Sequence, residues 1–349
     1  MKLTAGEIYF IGERDLKTNQ ESDYVKIGIV REGAKGPRTS EERLDEHQTG
    51  NPRQLFLHEV IETPAVEELE TRIHRIFAPK GVSGEWFQFT KDDLATAIQQ
   101  AKNLRDEAMA NLDALNKAEE LKTITSNGII APATDEAKKW QSAYIAADVI
   151  IKEAKRLKDE FEDLILESVD DEDDISHIVT TQTRAGATYF DEERFIAENP
   201  ELAKKFMITK TSWSQRFTVK KPKASKPALF DIDPTVFELF DDFGRMLEIS
   251  PDSDEDREIL HEKFLNVLSA ESMAVWEKQI AESKLKGFCA EYQGIYGICS
   301  WPRESTTSES IDKDLLASSN LVNMEEYLLA NNRVRSVSAS RARGYDTSG

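Results

Sequence analysis

The chain has 349 residues, 39% hydrophobic and 32% charged, with a formal net charge of −20 at pH 7. This composition fits two or three globular domains with a very polar surface and excludes a generally basic nucleic-acid coat, although a local basic patch suffices for phosphate contacts. Nothing approaches the roughly 18 to 20 consecutive apolar residues of a membrane span, the opening MKLTAGEIYF lacks a signal peptide's apolar region, and the two cysteines, Cys289 and Cys299, are too few for a disulfide framework and lack zinc-site spacing. A cytoplasmic protein with no membrane partner is expected.

Residues 1–91 carry the densest pattern. EIYFIG (7–12) and YVKIGIV (24–30) predict strands by their β-branched and aromatic residues. SEERLDEHQTG (40–50) predicts a short helix with Ser40 as N-cap and Gly50 just past its end. QLFLHEVIET (54–63) predicts a third strand. Pro64 opens a helix that sets Val66, Leu69, Ile73 and Phe77 at helical spacing. GEWFQFT (84–90) closes the unit as a short strand. The order β-β-α-β-α-β describes a compact α/β domain.

Between residues 92 and 168 the period changes. Leu94, Ala97, Ala101, Leu104, Ala108 and Leu115 follow a three-four repeat, and Ala143, Ala147, Ile150, Ala154, Leu157, Phe161 and Leu164 resume it after a turn. Such a seam needs a partner. An antiparallel hairpin of the two helices is expected, either as ordinary bundle helices or as a coiled coil through which the chain self-associates or holds a protein partner.

Residues 169–227 join an acidic linker to a basic-aromatic segment. Asp191 caps a short helix. From Lys204 to Lys226 the segment has no acidic residue and carries Lys204, Lys205, Lys210, Arg216, Lys220, Lys221 and Lys223 with Phe206, Trp213 and Phe217 interleaved. Cations for phosphates and rings for stacking describe a nucleic-acid contact; a lysine-rich linker docked on acidic helices is the plainer reading. Residues 228–301 predict a small helical domain, and residues 302–349 a serine-rich, largely disordered tail with one helix near NMEEYLLANN.

EIYFIG, VKIGIV, RLDEHQTGNP, ELETRIHRIF and GEWFQF, in this order, resemble the GIY-YIG nuclease superfamily over about residues 5–90, in particular a phage and bacterial branch with K-I-G and G-E-W-F motifs. The resemblance implies an α+β fold class: a small GIY-YIG-like N-terminal domain, here followed by the helical hairpin and a mostly helical C-terminal region. It also implies a metal-dependent endonuclease. Phosphodiester hydrolysis needs an activated water, a cation against the charge developing on phosphate and a metal at the leaving oxygen. By resemblance, Tyr9 helps to activate the water, Arg43 clamps the scissile phosphate and Glu70 binds Mg²⁺ or Mn²⁺. Lys26 stands where the superfamily usually has a second tyrosine, as a phosphate contact or a neighbour that depresses the tyrosine pKa. His47, one turn beyond Arg43, and His74, one turn beyond Glu70, are site residues or members of helical pairs. Glu85 is an additional acidic site residue or a turn residue.

The function expected is thus a DNA endonuclease of phage or prophage origin, in the cytoplasm of a bacterial host, serving DNA processing, recombination or host–phage conflict. The alternatives are a non-catalytic nucleic-acid-binding or scaffolding protein on the same fold, and a purely structural protein whose hairpin is its active part.

Overall fold

The computed structural model describes residues 3–33, 39–168, 178–184, 188–214, 216–221, 244, 253–330 and 334–341. At the N-terminus, β1 (Gly6–Arg14) and β2 (Glu21–Arg31) precede α1 (Ser40–Gln48), β3 (Gln54–Thr63), α2 (Val66–Ile76), β4 (Gly81–Ser83) and β5 (Trp86–Gln88). They form an antiparallel five-stranded sheet in the order β3-β1-β2-β5-β4. The predicted final strand is therefore a short pair, β4 and β5.

Both faces of this sheet are covered. Alternation along the strands sends Ile8, Phe10, Val25, Ile27 and Ile61 to one side, against Leu69 and Ile73 of α2. It sends Tyr9, Ile11, Val30 and Leu55 to the other, where Leu44 of α1 packs on them. The N-cap of α1 is Thr39 rather than Ser40: Thr39 and Glu42 form a capping box. Ser40 is instead buried, and its backbone N–H and hydroxyl both donate to Glu7 Oε2, at 2.9 and 2.6 Å. This contact fastens α1 to β1.

Beyond the sheet domain come α3 (Lys91–Glu120), β6 (Ile130–Ala131), α4 (Asp135–Glu167), β7 (Val179–Arg184), β8 (Thr188–Phe190), α5 (Glu192–Glu198), α6 (Pro200–Phe206), β9 (Met207–Ser214), β10 (Thr218–Val219), α7 (Asp254–Cys289), β11 (Gly294–Ile295), β12 (Cys299–Ser300), β13 (Glu304–Ile311), α8 (Lys313–Ser319), β14 (Leu328–Ala330) and β15 (Val334–Ala339). The chain is α+β, with an N-terminal sheet domain and a helical region C-terminal to it. Among the described residues, no helix is long and apolar enough to cross a membrane.

The third helix α7 occupies the seam that the two long helices were expected to share. Ala154, Leu157, Phe161 and Ile165 of α4 cluster with Leu260, Phe264, Leu265 and Leu268 of α7. Ala97, Ala101, Leu104 and Ala108 of α3 join the sheet core together with Trp276 and Ile280 of α7. The reason lies in α7 itself, whose apolar residues point in nearly every direction and which is stable only when surrounded. It is thus the central helix of the molecule and not the core of a separate domain at 228–301.

The C-terminal segment also differs from expectation. β13 pairs with β9 over eight residues, β14 with β8 and β15 with β7. Ile311, Leu316 and Tyr327 are buried with Phe190, Phe195 and Phe206. The serine and threonine residues that resemble a disordered tail pair readily as strands once a partner is present. NMEEYLLANN forms a single helical turn at Met324–Tyr327 and then runs into β14. The acidic run from 169 and most of 228–252 lie outside the described residues.

Candidate active site

The site forms where β5 begins. β5 pairs with β2 at Tyr24, Val25 and Lys26, and the Ile27 N–H still reaches the Glu85 carbonyl at 3.0 Å. Past that point this side of β2 has no strand partner among the described residues, and α2 approaches it. His74 Nε2 bonds the Ile27 carbonyl at 3.0 Å, with its ring 5.2 Å from that of Phe87. A carbonyl accepts only, so His74 carries its proton on Nε2.

Tyr9 is buried on β1 directly opposite Gly28 of β2. Its hydroxyl lies 3.4 Å from His47 Nε2, and the Arg43 guanidinium is near enough to act on it electrostatically. The O–H points to His47, so Tyr9 and His47 are in contact and Arg43 stands within reach of both. Burial raises the Tyr9 pKa above its ordinary value, against the opposing pull of Arg43. Burial, together with the positive charges of Lys26 and Arg43, lowers that of His47 and keeps its ring neutral. Arg43 is also ion-paired with Glu46, three residues along the helix.

Lys26 is almost fully buried and donates to Glu85 Oε2 at 2.5 Å. Although burial alone would raise the Glu85 pKa, the hydrogen bond and charge of Lys26, with His74 and His47, hold it down as a carboxylate. Glu70 is different. Its carboxyl makes no hydrogen bond or ion pair among the described residues, and burial, followed by repulsion from Glu85, pushes its pKa up to about 7. A half-buried carboxyl without a partner, facing a second carboxylate, is poised to take a cation.

Among the described residues, no cluster of three or more His, Cys, Asp or Glu side chains is arranged to hold a metal. Zinc, which needs three or four protein ligands, does not fit this donor set. A hard divalent ion that keeps most of its waters and takes one or two carboxylates does. Glu70 would be its first ligand.

Tyr9, Lys26, Arg43, His47, Glu70, His74 and Glu85 are thus brought to one edge of the domain, linked by contacts or by mutual charge effects. Sequence reasoning missed Gly28, Glu46 and Glu7. The glycine in VKIGIV was the available signal, but its purpose appears only in the strand register.

The basic-aromatic segment is more scattered. Lys204 pairs with Glu201 at 2.7 Å and Lys221 with Asp148. Phe206 is buried, and Phe217 packs edge-on against Tyr144 and Trp301. Trp213 is half-buried opposite Ser305. Lys205, Lys210, Arg216 and Lys220 are exposed, and among the described residues their side chains have no ion-pair partner. Lys223 lies outside the described residues. The segment is therefore partly the docked linker of the plainer reading, with a residual exposed set of cations.

No curated protein and no solved structure matches the chain. The expected membership of the GIY-YIG superfamily is corrected by the family comparison, so the roles carried over from that superfamily lose their support and only the observed geometry stands for them. Over residues 6–102, which take in the sheet domain and the first turns of α3, the sequence matches the family model of the T5orf172 domain.

Proposed function

We propose that the N-terminal domain is a divalent-cation-dependent DNA endonuclease that hydrolyses phosphodiester bonds. The observation that carries this reading is the convergence of an unpartnered, half-buried Glu70 with Tyr9, His47 and Arg43 on one sheet edge. The Tyr9 hydroxyl, kept protonated by burial, orients a water at this edge, and the neutral His47 ring beside it is the group free to accept that water's proton as it attacks. Arg43, with its planar guanidinium, turns toward a phosphate oxygen. Glu70 would hold Mg²⁺ or Mn²⁺, which supplies charge stabilisation at the leaving oxygen. Lys26 keeps Glu85 ionised, and Glu85 in turn keeps Glu70 in need of a positive partner. The exposed Lys205, Lys210, Arg216 and Lys220 supply phosphate contacts away from the reaction.

A second reading is a non-catalytic nucleic-acid-binding scaffold. One observation favours it: Lys26 and Arg43 are each already matched by a glutamate, Glu85 and Glu46. End-labelled DNA incubated with and without Mn²⁺ separates the two. A nuclease produces metal-dependent fragments that vanish in Tyr9→Phe. A scaffold retards the DNA in a gel, with salt-sensitive affinity, and leaves it intact.

A further inference from the structure

Cys289 ends α7 and Cys299 opens β12, and their sulfurs lie 3.6 Å apart in the core. Both thiols are buried, with Cys299 the slightly more accessible at 3% exposed. Their surroundings are cationic. Arg303 is fully buried, with two guanidinium nitrogens, Nε and Nη1, unpartnered. Its remaining nitrogen donates only to the carbonyls of Ala290 and Tyr292, and its plane stacks 4.2 Å from the Trp301 ring. Among the described residues, Arg303 has no carboxylate partner. A buried guanidinium without a counter-anion is costly. Arg303 and Lys286 act on the Cys289 sulfur and Lys220 on that of Cys299, and Lys286 is itself paired with Glu282 at 2.6 Å.

We propose that Cys289 and Cys299 are a redox dithiol that closes to a disulfide by exchange with a small-molecule disulfide. Either thiol can donate to the other across this distance, and Cys299, the more accessible of the two, is the first attacker. Cys299 attacks one sulfur of the small disulfide, whose S–S bond breaks and whose second half leaves as a thiolate. Cys289 then loses its proton and attacks the Cys299 sulfur, expelling the other half. Two protein thiols lose two electrons, the small disulfide gains them, and the two protons end on the two small thiols. The new bond ties the end of α7 to β12, whose Cys299 pairs with Val219 of β10 immediately before Lys220. Oxidation therefore fastens β12, on which β10 and the exposed Lys220 that follows it are held.

The full-length native chain, fully reduced, is equilibrated in mixtures of oxidised and reduced glutathione, quenched in acid and alkylated after unfolding. The proposal predicts one transition in which both thiols are lost together, with a mass two hydrogens lower and no added glutathione. Cys289→Ser stops at a single glutathione adduct on Cys299. If the wild-type chain keeps two alkylatable thiols across the range, or ends with glutathione on both cysteines or as cross-linked dimers, the dithiol assignment is wrong and the pair is core packing only.

Discussion

The ring of Tyr9 lies over the backbone of Gly28, its neighbour across the β1–β2 ladder, so closely that a Cβ at residue 28 would stand 2.5 Å from the tyrosine hydroxyl and 2.7 Å from Cζ. The glycine is there to leave room for the ring. Gly28→Ala is expected to displace the hydroxyl from Arg43 and His47 and to abolish cleavage, at a stability cost of about 1–3 kcal/mol typical of forcing atoms into a packed site. Urea unfolding beside a cleavage assay checks it. An active, equally stable variant would show that the hydroxyl has no such role.

Glu70 gives a prediction with a definite sign. Its folded pKa, about 7, stands above its ordinary value of 4.5. A raised carboxyl is neutral in both states below the lower value, and the folded state is penalised as pH rises through the upper one. Glu70→Gln is therefore expected to stabilise the chain above about pH 7, by ~1–2 kcal/mol after allowance for solvent screening, and to change little near pH 4. Mg²⁺ or Mn²⁺ should raise the melting temperature of the wild type and leave that of Glu70→Gln unchanged. Thermal melts at the two pH values, with and without metal, are sufficient.

The histidines act in the opposite direction. Burial is the largest cause of the lowered pKa of His47, His58 and His74, so each is favoured neutral in the fold. Stability is then complete above about pH 6.5, the ordinary histidine value, and declines as acid protonates the unfolded chain more readily than the folded one. His74→Gln, which keeps a donor for the Ile27 carbonyl, should flatten part of that decline. Denaturation midpoints between pH 7 and 5 measure it.

The role of Lys26 separates from that of a second tyrosine. Lys26→Met removes the hydrogen bond and charge that hold Glu85 ionised, leaving two carboxyls to share one edge. Stability is expected to fall by about 1–3 kcal/mol, the cost of an unsatisfied polar group. The double variant Lys26→Met/Glu85→Gln should recover most of it. If the two changes simply add, the ion pair is not coupling these residues.

The three long strands of the sheet domain were legible in the sequence because each combines β-branched residues with turn signals at both ends, and QLFLHEVIET matched its strand residue for residue. The residues gathered at this edge were singled out only through motifs, whose superfamily the family comparison does not bear out. Their convergence depends on β5 beginning only at Trp86 and on α2 filling the gap beside β2, which no local pattern records. The helical part was misread for a related reason. A seam such as Ala154, Leu157 and Phe161 tells that a partner exists but not which one, and α7, with apolar residues on all sides, left no periodic trace of its own. The partner's identity has a direct consequence. Phe161→Ala should destabilise the protein by about 3–5 kcal/mol through a cavity against Phe264 and Leu265, and calorimetry should show one cooperative transition that includes both helices.

The central claim is tested most directly by incubating supercoiled plasmid with Mg²⁺ or Mn²⁺ and the wild-type chain, Glu70→Gln or Arg43→Ala, each verified as folded by circular dichroism. The account predicts nicked or linear product from the wild type alone, and none from it when the metal is chelated. Three folded proteins that leave the plasmid and branched or single-stranded DNA equally intact would contradict it, and the Tyr9–Arg43–Glu70 edge would then have to be explained as a binding surface.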